Sequence, residues 1–462
     1  VNAARPLAWL VVLVAAAAPW AFGATEPGWA ALLAVGCLVP VTAALIVDAV
    51  RAGPPGPDGA RAERLGWLVV SIPLVAALGL IPLPGAVRAV LAPSGAALLG
   101  DLDPGAAATW RPTSLAPHAT LGALGLAAAY VGAFLLLRRE SAAPRGRGIL
   151  TIALVASGAG LALVGLLQHF TQAGALQPKI YWTYEVYEAG TPFGPYVNRN
   201  HFAGAMVLLG SVASGEFLAA VAERRRGPAV AWGSAMMTML FALAATTSRG
   251  GLLAAASGAA FLVLTLPAGR RLRGAVVVCG VAAGVVALLA WAGALDALLG
   301  RAFHLYGRWM HRFGVQRDAI AAFLGNPVLG TGAGTFEDVY PAYQRVADDR
   351  SFQNAHSDWA QILMETGLAG AVVCVLTARR FAGWVRRGTG ARDGRRWRVL
   401  GPAAGVVGIA VHGFFEVNLH VPANALLTVC ALSLACAAAA DPEAGAPVAA
   451  SGSAAGPTPG ED

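Results

Sequence analysis

Stretches of about twenty apolar residues recur along this chain, and they limit its fold more than any motif does. A helix crossing hydrocarbon needs about 20 such residues, and it satisfies its own backbone polar groups. Twelve candidate spans can be marked, at roughly 7–25, 29–48, 66–84, 118–137, 148–169, 200–222, 229–247, 250–268, 274–298, 359–378, 399–415 and 421–440. Only 13% of the residues are charged, against about 25% in a soluble domain. The predicted fold is therefore an all-α polytopic membrane protein with about 12 transmembrane helices. Ala, Leu, Val and Gly make up the spans, and small residues let helices approach closely in lipid. The first run reads as an uncleaved helix, because Arg5 is a weak basic leader and Ala21, Gly23 and Ala24 make a loose cleavage match.

Basic residues set the orientation. With the N-terminus in the cytoplasm, each cytoplasmic loop between spans carries at least three arginines, such as Arg138, Arg139, Arg145 and Arg147, or Arg224, Arg225 and Arg226. The net charge of +8 then reads as topology rather than as nucleic-acid binding. Three long segments, 85–117, 170–199 and 299–358, fall on the outer side, the last of them a large loop between spans 9 and 10. The segment 441–462 is rich in Ala, Gly, Pro and Ser and reads as a disordered cytoplasmic tail beyond a 1–440 membrane domain. Cys37, Cys279, Cys374, Cys430 and Cys436 all lie in apolar runs without metal-ligand spacing and read as small core residues.

Chemistry is thus expected on the outer face. The interval 300–370 holds Arg308, Arg312 and Arg317, a glycine-rich turn at Gly330-Thr-Gly-Ala-Gly-Thr335, and Asn354-Ala-His356-Ser-Asp358-Trp359 before the next span. Gly330-x-Gly-x-Gly334 looks like a phosphate loop on paper. A dinucleotide site needs a strand before it and a βαβ context, so a tight turn is the better reading. A neutral imidazole at position 356 can take a proton from a hydroxyl near neutral pH, and Asp358 could orient it or share its role. Asn198-Arg199-Asn200-His201 puts four polar residues at a membrane boundary, where they need water, a ligand or one another. Arg249 stands in an outer turn that leaves almost no loop; it reads either as a snorkelling arginine or as a phosphate clamp. The aromatics Tyr181, Trp182, Tyr184, Tyr187, Phe193 and Tyr196 read as a belt or as a saccharide platform. His412 and Glu416 share a helix face at i, i+4 and read as structural or supporting. Loop 85–117, with a short interfacial helix expected around Val87–Leu99, offers no chemistry.

Four blocks carry a resemblance. They are Gly194-Pro-Tyr-Val-Asn-Arg-Asn-His-Phe-Ala-Gly204, Thr247-Ser-Arg-Gly-Gly251, Arg312 with Asn326-Pro-Val-Leu-Gly-Thr-Gly-Ala-Gly-Thr-Phe336, and Asn354-Ala-His-Ser-Asp-Trp-Ala-Gln-Ile-Leu-Met-Glu-Thr-Gly367. In that order, and set against the spans, they resemble the O-antigen ligase / O-antigen polymerase-like superfamily over about residues 190–430. Gln316 stands where an aromatic residue is common in that pattern.

The resemblance implies a GT-C-like fold and a multi-pass protein of the bacterial inner membrane with its active site facing the periplasm. It implies a glycosyltransferase that moves glycan from undecaprenyl diphosphate to an acceptor hydroxyl on a glycan, lipid or protein, inverting, with no metal and no cofactor. Carried over by position, His356 would be the catalytic residue. Arg249 and Arg312, with Arg199, would hold the diphosphate. Asn198, His201, Asn354, Asp358, Arg308 and Arg317 would support them. Membrane lipids are the other expected partners, and nucleic acid is not one. A flippase or transporter of lipid-linked glycans is the competing expectation, but it would place its charges nearer the midplane. A scaffold subunit would need neither His356 nor converging arginines.

Overall fold

In a computed structural model the described residues are 5–51, 59–105, 109–175, 178–186, 191–291, 305–345, 352–391 and 393–440. The tail from 441 onward lies outside them, as does part of the loop expected at 299–358. The helices are α1 (Arg5–Ala17), α2 (Pro27–Arg51), α3 (Gly59–Leu80), α4 (Gly85–Leu91), α5 (Pro93–Leu102), α6 (Pro117–Ser141), α7 (Pro144–Thr171), α8 (Arg199–Ala222), α9 (Arg226–Ala245), α10 (Arg249–Leu264), α11 (Ala268–Trp291), α12 (Leu305–Gly325), α13 (Phe336–Val339), α14 (Asp358–Gly390), α15 (Asp393–His412) and α16 (Pro422–Ala440). No strand forms among the described residues; three isolated bridges pin loops.

Among the described residues, seven helices are long and apolar enough to cross a membrane: α2, α6, α7, α8, α9, α14 and α16. Among the other expected spans, Arg5–Trp20, Val70–Leu80 and Arg249–Leu264 are apolar but shorter. At 1.5 Å per residue, a 16-residue helix is about 24 Å long, short of the roughly 30 Å hydrocarbon core.

Helix α8 lies at the centre, packed against α9 and α15, and α15 also packs on α10 and α16. The crossing of α8 and α15 is set by glycine on both sides: a Cβ at Gly401 would strike the backbone of Gly215. Dispersion between closely packed backbones supplies what the hydrophobic effect cannot supply in lipid. The main core draws on α1, α2, α6, α7, α8, α9 and α16, with Leu154, Leu161, Phe202, Met206, Leu209 and Leu426 fully buried. Cys37, Cys430 and Cys436 join the interior as expected, whereas Cys374 is half-buried and Cys279 lies on an exposed face of α11.

The described part of the 299–358 segment is a folded cap rather than an open loop. Val315, Ala319 and Ala322 recur at helical spacing on α12 and form a second core with Phe336, Val339, Tyr340, Ala355, Ala360 and Met364. Segment 85–117, which promised no chemistry, is what the cap rests on. Asn326 Oδ1 accepts from the Gly95 N–H at 2.7 Å, the Tyr343 hydroxyl donates to Ser94 Oγ at 3.2 Å, and the Leu115 N–H donates to the Thr331 carbonyl at 2.9 Å. The expected helix there is two helices, α4 and α5, parted at Pro93.

Candidate active site

The glycine-rich turn folds into a break in α14. Gly367 sits at φ 57°, ψ −153° inside that helix, a region open essentially to glycine alone. The break frees backbone groups, and the turn takes them up. The N–H groups of Thr331 and Gly332 donate to the Met364 and Glu365 carbonyls, both at 2.9 Å. Leu368 and Ala369 donate in return to the Pro327 and Val328 carbonyls at 2.8 and 3.1 Å. The Glu365 side chain completes the joint: Oε2 accepts from the Gly334 N–H at 2.7 Å, and Oε1 accepts from the Phe336 N–H at 3.2 Å and Gln361 Nε2 at 3.0 Å. The glycines thus bind the protein's own helix, as a turn that re-aims the chain.

Gln361 Oε1 in turn accepts from the Ala355 N–H at 3.0 Å, so the joint leads directly to His356. That residue has φ 51°, uncommon without glycine. Asn354 Oδ1 accepts from its N–H at 3.2 Å, and Gln316 Nε2 donates to its carbonyl at 3.0 Å. Gln316, the departure from the family pattern, therefore fixes the histidine backbone.

The imidazole faces Glu416, which lies in the turn between α15 and α16 and is 2% exposed. His356 Nδ1 is 3.5 Å from Glu416 Oε1, and His201 Nε2 is 3.9 Å from the same oxygen. Oε2 accepts from Asn200 Nδ2 at 2.6 Å and from Arg312 Nη1 at 3.4 Å; Arg312 also donates to the Phe415 carbonyl at 3.2 Å. A buried charge must be paired and hydrogen-bonded to be tolerated. Burial pushes the Glu416 carboxyl up, but the His356 contact and the charges of Arg312, His201 and His356 outweigh it and hold the group well below the usual carboxylate range.

Behind Glu416 runs a chain of amides. The Tyr196 hydroxyl donates to Asn424 Oδ1 at 2.9 Å, Asn424 Nδ2 donates to Asn418 Oδ1 at 2.9 Å and to the His201 carbonyl at 2.8 Å, and Asn418 Nδ2 lies 3.0 Å from His412 Nδ1. Tyr196 and Phe193 are core residues, a place that neither reading of the aromatic loop gave them, whereas Trp182 and Tyr184 stay exposed; Tyr187 lies outside the described residues.

The other expected site residues take varied places. Arg199 Nη1 donates to Thr247 Oγ1 at 3.3 Å, which joins the α8 start to the turn before α10. Ser248 caps α10 by accepting from the Gly251 N–H at 3.2 Å, and this puts Arg249 on the first helical turn. A Cβ on the next residue, Gly250, would come within 2.8 Å of His412 Nε2, so the start of α10 adjoins the Glu416 turn. Asn198 Oδ1 accepts from the Asn200 N–H at 2.8 Å and caps α8. Arg317 pairs with Asp318 at 3.2 Å, within the cap and largely exposed. The Arg308 side chain lies outside the described residues.

Asp358 does not orient His356. It is fully buried and accepts from the Asn418 N–H at 2.9 Å, the Leu419 N–H at 3.0 Å and His420 Nδ1 at 2.8 Å, clamping the start of α14 to the Glu416 turn. Position 358 opens α14 with its side chain directed at the α15–α16 turn, so the neighbour in sequence is not the neighbour in space. Glu416, read as supporting, is the shared partner instead. Its sequence signal was a carboxylate beside Asn418 and His420 at the last outer turn; its partners come from α8, α12 and the α14 loop, which no local spacing could show.

His420 stands between Asp358 and Glu365, the latter 4.0 Å away. Burial favours its neutral form, yet the Asp358 bond and the two carboxylate charges prevail and raise its affinity for a proton. A raised native value gives stabilisation that is complete below the ordinary histidine value, about 6.5, and is lost as pH rises through the native one. His420→Gln is expected to melt below the wild type in detergent by a margin widest at acid pH and narrowing as pH rises. A margin constant from pH 5.5 to 9 would refute the ion pair.

Residues 234–375 match the family model described as O-antigen ligase. That interval resembles the O-antigen ligase family. No curated protein matches the chain. The O-antigen ligase match contains Arg249, Arg312 and His356, whereas Arg199, Asn200, His201 and Glu416 lie outside it. It implies glycosyl transfer of the ligase or polymerase type, with glycan and lipid-linked substrates in general, by a multi-pass membrane protein. Among the described residues, no cluster of three or more His, Cys, Asp or Glu side chains is arranged to hold a metal ion.

Proposed function

We propose that this protein transfers glycan from undecaprenyl diphosphate to an acceptor hydroxyl at the periplasmic face of a bacterial inner membrane. The observation that carries this reading is the meeting of His356 and Arg312 on one buried carboxylate. His356, whose Nδ1 faces Glu416, takes the acceptor proton at Nε2. The acceptor oxygen bonds to the anomeric carbon from the face opposite the diphosphate. The bond from that carbon to the diphosphate oxygen breaks, and its electron pair leaves with the lipid diphosphate. Attack from the opposite face inverts the anomeric centre. Arg312, Arg249 and Arg199 meet the growing charge, so the reading requires no metal as cation. Fixed cations facing a charge that develops in a dry cleft lower a barrier efficiently, and the guanidinium fork matches phosphate oxygens.

Arg312→Ala and Arg249→Ala are each expected to lower transfer about 10²- to 10³-fold, measured as polymer or ligated glycan at equal protein level in membranes. Arg312→Lys should recover little, because a point charge does not reproduce the planar fork. Normal glycan output from both alanine variants would defeat the proposal. Purified protein given lipid-diphosphate-linked glycan and candidate acceptors separates ligase from polymerase.

A further inference from the structure

We propose that Glu416 is a positioning residue that shares its carboxylate between His356 and the diphosphate-binding Arg312, so that donor binding readies the base. The inference rests on the roles given above to His356 and Arg312, and it concerns a residue outside the matched interval.

The two oxygens of Glu416 serve different groups. Oε1 faces the histidines, with His356 Nδ1 at 3.5 Å and His201 Nε2 at 3.9 Å. Oε2 faces the donor side, with Asn200 Nδ2 at 2.6 Å and Arg312 Nη1 at 3.4 Å. The charged and titratable groups around this centre are Arg312 from α12, His201 from α8, His412 from α15 and Asp358 from the start of α14. Arg312 is the member open to a ligand: its side chain is 39% exposed, whereas that of Glu416 is 2% exposed. With no donor present, the guanidinium offsets part of the carboxylate charge. A diphosphate is a denser anion and draws the guanidinium toward itself. Glu416 then turns more of its charge on His356, which favours a proton on that ring. The base becomes strong when a leaving group is in place and stays weaker when it is not, which suppresses proton abstraction without a donor.

Diethylpyrocarbonate reacts with neutral imidazole, so its reaction at the His356 peptide, followed by mass spectrometry from pH 5 to 9, titrates this one ring in the full-length protein. Farnesyl diphosphate serves as the diphosphate probe. In the wild type the midpoint is expected to rise when the probe is added. In Glu416→Gln the midpoint should fall, because an opposite charge beside the ring is lost, and respond less to the probe. Arg312→Gln, which leaves Glu416 intact, should show a raised midpoint without the probe. An unchanged midpoint in Glu416→Gln, or an equal probe response in Glu416→Gln and the wild type, overturns the proposal; a merely structural glutamate would give that result. His356→Gln tested for glycan transfer keeps the two ideas apart. If it is inactive while the titrations are flat, only the coupling fails. If it is active, the enzymatic reading fails whatever the titrations show.

Discussion

His356→Gln is expected to reduce glycan transfer by about 10²- to 10⁴-fold, the range for losing a positioned acid or base. Glutamine is similar in size and can hydrogen-bond, but it cannot accept a proton near neutral pH. The backbone of this residue is held by Asn354 and Gln316 through main-chain atoms, and the substitution leaves those bonds available. The protein should therefore reach the membrane in normal amount and elute as a single species in detergent. Loss of activity with retained fold is the diagnostic combination. A His356→Gln protein that makes polymer at the wild-type rate would remove the histidine from the chemistry altogether.

The second large effect is on folding. Gly330→Ala and Gly367→Ala should each deplete folded protein severely. Gly330 has φ +68°, and a Cβ there would lie 2.6 Å from the carbonyl oxygens of both Met364 and Glu365. Gly367 has φ +57°, and a Cβ there would lie 2.6 Å from the Val328 oxygen and 2.7 Å from the Pro327 oxygen. Backbone atoms cannot swing aside as a flexible side chain would. The conformation alone costs about 1–3 kcal/mol for a non-glycine residue, and overpacking adds typically 1–3 kcal/mol. Loss of the joint also frees Glu365, a buried carboxylate whose acceptor bonds go to the turn and Gln361. Gly28→Ala is the control, since a Cβ there meets nothing within 4 Å. Thermal melting by fluorescence-detected size exclusion should separate the two classes by many degrees. Similar melting of Gly330→Ala and Gly28→Ala would contradict the packing of the turn into the helix break.

The blocks visible in the sequence reach the site unequally. His356 and Arg312 come together because α12 packs on α14, and that packing follows from the apolar residues 315, 319 and 322 at helical spacing. The Asn198–His201 run was legible as a cluster, but its members separate: Asn198 caps α8, Arg199 reaches Thr247, and Asn200 and His201 turn to Glu416. One helical turn points successive side chains about 100° apart, so adjacency in sequence spreads contacts rather than pooling them. Asp358 went the same way, toward the α15–α16 turn.

By itself, the sequence determined that the chain is a multi-pass helical membrane protein, because recurrent apolar runs leave no other structure whose backbone is satisfied in lipid. Its short ordered blocks also pointed to the O-antigen ligase family, whose model matches residues 234–375. The tertiary structure alone decided which carboxylate joins the site. Glu416 is a single residue with no periodicity, and its meaning comes from side chains contributed by α8, α12 and the segment before α14. It likewise decided what the glycines bind. A run of glycines permits close approach without naming the partner, and here the partner is the protein's own broken helix.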